Sequence, residues 1–294
     1  MATCTPKAAS TAVYGQQPIF CVITGASRGI GRHLAIGTAK ILSRNTSRRK
    51  SRLVIVARSL EKLQETKSLI RDQYGDRIEV SLVSRDLSDV SGLQSTWDAI
   101  ISEASAENYS DAILVNNVAD LTGDIGRMAG QHTDASLIQK ALNLNFTGYV
   151  LFISYFMQYF KTSCQCTVVN LTSLLGRLTT NVISLYSSIQ AAREQYIRNL
   201  VNSDFETRAF SLDPGMVDTD MLATGTESFT EHFPSIAKVH GDIKSKGCLT
   251  SPETVVNVFL DCLENPDHYK NGEIVIADEP MVRYQVAIGA TDDD

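Results

Sequence analysis

A doubly wound, Rossmann-like three-layer α/β sandwich with a seven-stranded parallel sheet in a single domain is the fold this sequence predicts. Three observations carry that expectation. Short apolar, β-branched runs alternate with longer amphipathic ones. The runs are continuous rather than alternating, as strands buried on both faces should be. The first of them runs straight into a glycine-rich turn and then a helical stretch.

In chain order the strands are expected at 19–24, 53–57, 78–83, 112–116, 167–171, 208–212 and 273–277, each four to seven residues long. Helices are expected between them at 30–42, 60–73, 90–107, 134–160, 184–202 and 252–263. Right-handed crossovers joining strand, helix and strand place the strands side by side with helices on both faces. Ligands of such sheets bind beyond the carboxyl ends of the strands. Residues 1–17 read as a flexible tail, 18–280 as the domain, and 281–294 as a second, acidic tail. The polar, glycine-containing stretch 216–247 reads as a lid over the substrate.

Composition narrows the function classes. A net charge of −6 argues against a protein built to grip nucleic acid. The longest apolar stretch, 149–157, is far shorter than the roughly 20 residues that cross a bilayer. Six scattered cysteines, without a double Cys-x-x-Cys pattern, fit a reducing cytoplasmic setting and no metal site. Cys164 and Cys166 precede an apolar run without nearby histidines, so they read as structural. The basic run 44–52 reads as a solvated loop at the sheet edge opposite the ligand site.

The turn Thr24-Gly-Ala-Ser-Arg-Gly-Ile-Gly31 suits a pyrophosphate at a helix N-terminus, where glycine permits close approach and free N–H groups attract anions. Further along, Ser173 and Tyr186 form a hydroxyl pair suited to carbonyl and alcohol chemistry. Four residues after the tyrosine stands Gln190, where a cation would favour the phenolate and a neutral amide does not. The second strand is followed by Ala57-Arg58-Ser59 rather than an acid. With Arg28 in the turn, two guanidinium forks stand ready for the 2′-phosphate of NADP(H).

Together with Asp86, Asn116-Asn117, Asn145-x-x-Gly148 and Pro214-Gly215, these motifs resemble the short-chain dehydrogenase/reductase family along about 260 residues. The segments 21–32, 191–193 and 214–221 resemble most the members that reduce a pterin. The resemblance implies that Gly25, Ser27, Gly29, Ile30 and Gly31 hold the phosphates, and that Asp86 and Leu87 meet the adenine. It also implies that Asn117 steadies the cofactor, and that Pro214, Gly215, Val217 and Thr219 line the nicotinamide side. Ser173 would orient a carbonyl, Tyr186 would exchange its proton, and Asn145 would support a kinked helix and a water relay.

Three departures qualify this picture. Gln190 replaces the family's lysine, which holds the nicotinamide ribose and acidifies the tyrosine; Tyr186 is then expected near its ordinary value of about 10, favouring reduction over oxidation. Asn116-Asn-Val-Ala119 replaces Asn-Asn-Ala-Gly and should tighten the floor under the cofactor. Where pterin-reducing members place an aspartate against the substrate, alignment gives Ile276, with Asp278 two residues on and on the same face if the strand continues. The expectation is an NADP(H)-dependent carbonyl reductase acting on a small carbonyl compound, a pterin among the candidates. A homodimer is implied by the resemblance, with helices 146–160 and 184–200 as candidate contacts. The alternative is a catalytically silent NADP(H) binder serving as a sensor or interaction module.

Overall fold

A computed structural model describes residues 17–102, 104, 108–121, 123–125, 127–179, 182–203, 206–279 and 282–283. The tails expected at 1–17 and 281–294 fall almost wholly outside the described residues. Seven strands form one sheet: β1 (Ile19–Thr24), β2 (Arg52–Ala57), β3 (Glu79–Ser84), β4 (Asp111–Asn116), β5 (Gln165–Leu171), β6 (Thr207–Asp213) and β7 (Ile274–Ile276). Their order is β3-β2-β1-β4-β5-β6-β7 and every pairing is parallel. The order reverses between β1 and β4, which opens a crevice at their carboxyl ends.

Alternation along each strand feeds two cores. On one face Cys21, Ile23, Leu53, Ile55 and Val115 pack beneath α1 (Gly29–Leu42), α2 (Leu60–Tyr74) and α9 (Pro252–Glu264). On the other, Phe20, Val22, Val54, Leu114 and Val168 meet α3 (Leu93–Ile101), α5 (Gly148–Phe160) and α6 (Ser184–Val201). Successive side chains point to opposite faces, so apolar residues at every position are needed to fill both layers. Phe152, Phe156 and Phe160 recur at helical spacing on α5, and all three are buried within the chain. Each such ring contributes roughly 1.5–3 kcal/mol by leaving water.

Several helix boundaries follow from capping. Ser59, Asp134, Thr219 and Ser251 accept backbone amides at the starts of α2, α4 (Ala135–Leu142), α7 (Asp220–His232) and α9. Helix α1 starts without a side-chain cap, leaving its amides to the glycine turn.

The structure revises four expected elements. The stretch 134–160 is interrupted by a π-turn, Asn143–Thr147, between α4 and α5. The stretch 90–107 supplies only a 3₁₀ turn and α3 among its described residues. The last strand is three residues long. The stretch 216–247, expected to act as a lid, carries two helices: α7 is followed by α8 (Pro234–Ser245), a proline in its first turn setting the break. The basic run 44–52 is tied down, with Arg44 paired to Glu264, Arg49 to Asn108 and Arg52 to Glu79.

Candidate active site

The glycine turn folds against the end of β4. Gly25 and Gly29 adopt φ of 71° and 53°, which favour glycine. A side chain at Gly31 would run into the Gly25 carbonyl and the Asn117 amide. Asn117 Nδ2 donates to the carbonyls of Thr24 and Gly25 at 3.1 and 3.3 Å, while the amides of Asn117 and Val118 donate to Thr24 Oγ1. Val118 closes on the same turn: its methyl would lie 3.0 Å from a Cβ at Gly25. The floor is as tight as the departure from Asn-Asn-Ala-Gly suggests.

At the far end of the crevice, Arg58, Asp86, Ser88, Asp120, Lys140, Leu144 and Asn145 line a recess. Burial opposes the charge on Asp86, but hydrogen bonds from the Ser88 amide and hydroxyl, with the charges of Arg58 and Lys140, hold its carboxyl below the usual range. Lys140 is a cation that sequence reasoning missed; only its neighbour Asn145 carried a recognisable motif. Arg28 is exposed and paired with Asp220 at 2.5 Å, at the start of α7. Ser27 and Ile30 complete the turn: the Ser27 carbonyl accepts from Arg32, and Ile30 packs partly into the core. Leu87 is buried beside Leu93 and Tyr149.

Asn145 sits inside the π-turn, 1% exposed, and makes a reciprocal pair with Asp120: Oδ1 accepts from its amide and Nδ2 donates to its carbonyl, both at 2.9 Å. The amide thereby ties the kinked helix to the loop after β4. The Pro214–Thr219 segment leaves β6 through Gly215 at φ 71° and crosses to the glycine turn. There the Thr219 methyl faces Gly29, and Val217 is buried and bridged to Thr250.

Ser173 follows β5, and Tyr186 lies in the first turn of α6. The tyrosine is 8% exposed beneath Phe229 of α7. Burial pushes its hydroxyl above the ordinary value. Arg193 pulls back, as do hydrogen bonds from Gln190 and Ser173, while Asp213 adds to the rise. The expectation that loss of lysine leaves Tyr186 near 10 is therefore corrected by desolvation, which disfavours the phenolate. Gln190 is 1% exposed, and its Oε1 has no hydrogen-bond partner among the described residues.

Two further features were not read from sequence. Asp124, 1% exposed on the loop after β4, accepts the backbone N–H of Tyr186 at 2.6 Å. Just before α6, Ile183 has a φ of 47°, unusual for a β-branched residue. His132 Nε2 lies 3.1 Å from Asp124 and 3.3 Å from Ser184 Oγ. One ring nitrogen faces both, so these groups form no proton relay through the imidazole. The second feature is the Arg177 fork, which joins two buried acids: Glu194, bonded also to Thr172, and Asp213. An isolated acid in a glycine-containing loop gives no signal when its partner is a main-chain amide sixty residues away.

Asp278 lies beyond the end of β7, where it accepts from Arg283 at 2.5 Å; Ile276 is 44% exposed. The strand does not continue to carry Asp278 on its face, and the carboxylate is engaged by Arg283.

A profile of the short chain dehydrogenase family matches residues 20–228. The chain is 30% identical to sepiapterin reductase of Bos taurus over 254 residues, covering 86% of this chain and 91% of that one. It is 25% identical to a benzil reductase, (S)-benzoin forming, of Bacillus cereus, covering 88% and 99%. Among solved structures, the KRED1-Pglu enzyme superposes with a TM-score of 0.72 at 24% identity, covering 87% and 99%. L-sorbose reductase of Gluconobacter frateurii, complexed with NADPH and L-sorbose, gives 0.72 at 20% identity, covering 90% and 97%. The chain belongs to the short-chain dehydrogenase/reductase family and is an oxidoreductase of that family, similar to sepiapterin reductase.

Proposed function

We propose that the protein is an NADP(H)-dependent carbonyl reductase in which Tyr186 donates the proton. The observation that carries this reading is the buried Tyr186, which shares a face of α6 with buried Gln190 and has half-buried Ser173 beside it, both of which draw its titration down. The glycine cradle, which a Cβ at Gly31 would fill, fits a pyrophosphate. The unpartnered Gln190 Oε1 fits a donor such as a ribose hydroxyl. Gly25, Ser27, Gly29, Ile30 and Gly31 would hold the phosphates, Asp86 and Leu87 the adenine, and Asn117, Pro214, Gly215, Val217 and Thr219 the nicotinamide side. Arg58, with Lys140 across the recess and Arg28 in the turn, supplies the charge that favours NADP(H) over NAD(H).

When bound, NADPH supplies a hydride to the carbonyl carbon. Ser173 Oγ donates to the carbonyl oxygen and fixes its direction. The Tyr186 hydroxyl transfers its proton to that oxygen, so C=O becomes CH–OH. Gln190 donates its amide N–H to the oxygen left behind. Because burial keeps Tyr186 protonated, reduction is the favoured direction. Asn145 holds Asp120 and the π-turn in place.

The likeness to sepiapterin reductase supports a pterin or dicarbonyl substrate, although Asp278 has Arg283 as its partner. A soluble cytoplasmic homodimer is the assembly we infer. Burial of the Phe152 and Ile197 faces within the chain leaves the outer faces of α5 and α6 for the contact. The test is NADPH oxidation with sepiapterin and small dicarbonyls by the wild type, Tyr186→Phe and Gln190→Lys. Turnover lost in Tyr186→Phe establishes the reductase. Turnover seen only in Gln190→Lys would make the native chain a silent NADP(H) binder.

A further inference from the structure

The charge missing at position 190 has a counterpart one helical turn away. Arg193 follows Gln190 by three residues and Tyr186 by seven, spacings that keep all three on one face of α6. Helical side chains lean toward the N-terminus, which carries the guanidinium back toward the tyrosine. Arg193 is fully buried. Its Nε donates to Asn170 Oδ1 at 2.9 Å, Nη1 to the Val118 carbonyl at 3.2 Å and Nη2 to the Asn116 carbonyl at 3.1 Å. Its guanidinium carbon stands 4.4 Å from the centroid of the Tyr149 ring.

All of these partners are neutral. No carboxylate among the described residues forms an ion pair with Arg193, and the two buried acids nearby, Glu194 and Asp213, are held by Arg177. Carbonyl dipoles and a ring face offset the cost of burying a guanidinium without cancelling its charge. In a dry interior that charge acts at longer range than it would in water. On the same face of α6 as Tyr186, this cation has the phenol within reach of its field.

We propose that Arg193 supplies the positive charge that position 190 lacks, stabilising the negative charge that Tyr186 develops as its proton leaves. The proposal rests on the reading of Tyr186 as proton donor. Arg193 is a positioning residue: it acts through Tyr186 and touches neither substrate nor cofactor. The family lysine's two tasks are thereby divided, the ribose contact falling to Gln190 and the charge to Arg193. Among the influences on Tyr186, burial is the largest and raises its titration; Arg193 is the strongest that lowers it, ahead of Gln190 and Ser173, and Asp213 at the end of β6 opposes them. From the loop after β4, Asp124 faces the backbone amide of the tyrosine.

Two readouts test this: titration of the Tyr186 phenol by NMR of [13Cζ]tyrosine-labelled protein, with Tyr186→Phe giving the assignment, and reduction kinetics with NADPH. Arg193→Met, which removes charge but keeps bulk, is expected to raise the Tyr186 midpoint by about one pH unit, a tenfold change in phenolate at fixed pH. Reduction should slow by about tenfold while NADPH affinity changes less than about twofold. Moving the charge back with Gln190→Lys in the Arg193→Met background should recover both. Arg193→Lys keeps a cation with fewer donors and covers failure of Arg193→Met to fold; its midpoint should stay within about 0.3 unit of wild type. An unmoved midpoint in folded Arg193→Met, no recovery on adding Gln190→Lys, or a shifted midpoint in Arg193→Lys would overturn the proposal and leave Arg193 a scaffold for the β4 loop. A wild type without turnover would sink the reductase reading alone, since the phenol titration still decides the role of Arg193.

Discussion

Ser173 and Arg58 follow strands of one sheet, yet the two ends of the crevice they mark are built differently. At the tyrosine end, Tyr186, Gln190, Arg193 and Asp124 are all buried, with Arg193 and Asp124 held by hydrogen bonds to fixed partners. At the Arg58 end, Arg28 is 55% exposed and pairs across open surface with Asp220. Charges there are screened and redundant; charges at the tyrosine end are few and act with full force. On the proposed reading, reaction chemistry is concentrated where one group decides the outcome, and cofactor choice is spread over several groups that can each be lost.

That contrast orders the expected effects. Tyr186→Phe removes the proton donor and should cut reduction by about a hundredfold or more, with NADPH still bound at near wild-type affinity in a fluorescence titration. Parallel loss of both would show that the buried end also holds the cofactor. Gln190→Lys should lower the Tyr186 titration and speed alcohol oxidation by about tenfold at neutral pH, with a smaller change in reduction. Equal change in the two directions would break the directional argument. The pH dependence carries the same sign. Because burial raises the phenol above its ordinary value, reduction should stay level through neutral pH and fall only above about 10, whereas oxidation should climb with pH throughout. A reduction profile that falls near pH 8 would mean that some other group donates the proton.

Effects at the other end should be smaller. Arg58→Ala is expected to weaken NADPH about tenfold while leaving NADH almost unchanged, measured as a ratio of dissociation constants. Arg28→Ala should cost about threefold, since its guanidinium is exposed and already shared with Asp220. If Arg28 proved the more damaging of the two, the 2′-phosphate would sit nearer the turn than the recess.

Much of the scaffold was legible because strands buried on both faces must be apolar at every position, and 19–24 or 112–116 can be little else. The glycine turn, Ser173 and Tyr186 were legible for a similar reason: each carries chemistry in one residue type at one spacing. What stayed hidden depends on contacts distant in the chain. The π-turn at Asn143–Thr147 is accompanied by the pairing of Asn145 with Asp120, which helical periodicity does not encode. The helices within 216–247 were not expected because α7 and α8 bury few residues, among them Phe229 and Ile243, and otherwise read as polar. Arg193 is followed by Glu194 in a helix that also carries Arg198, and nothing in that local pattern marks one arginine as fully buried.

The grip of Asp124 on the Tyr186 amide has a bearing on how this chain can change over generations. The start of α6 is tied to another loop, so the level of the Tyr186 amide depends on how many residues separate the tie at Asn117 from the tie at Asp124. A single residue gained or lost there would leave every catalytic side chain in place by name and yet set the tyrosine at the wrong level. Length, in that stretch, constrains the site as residue identity does elsewhere.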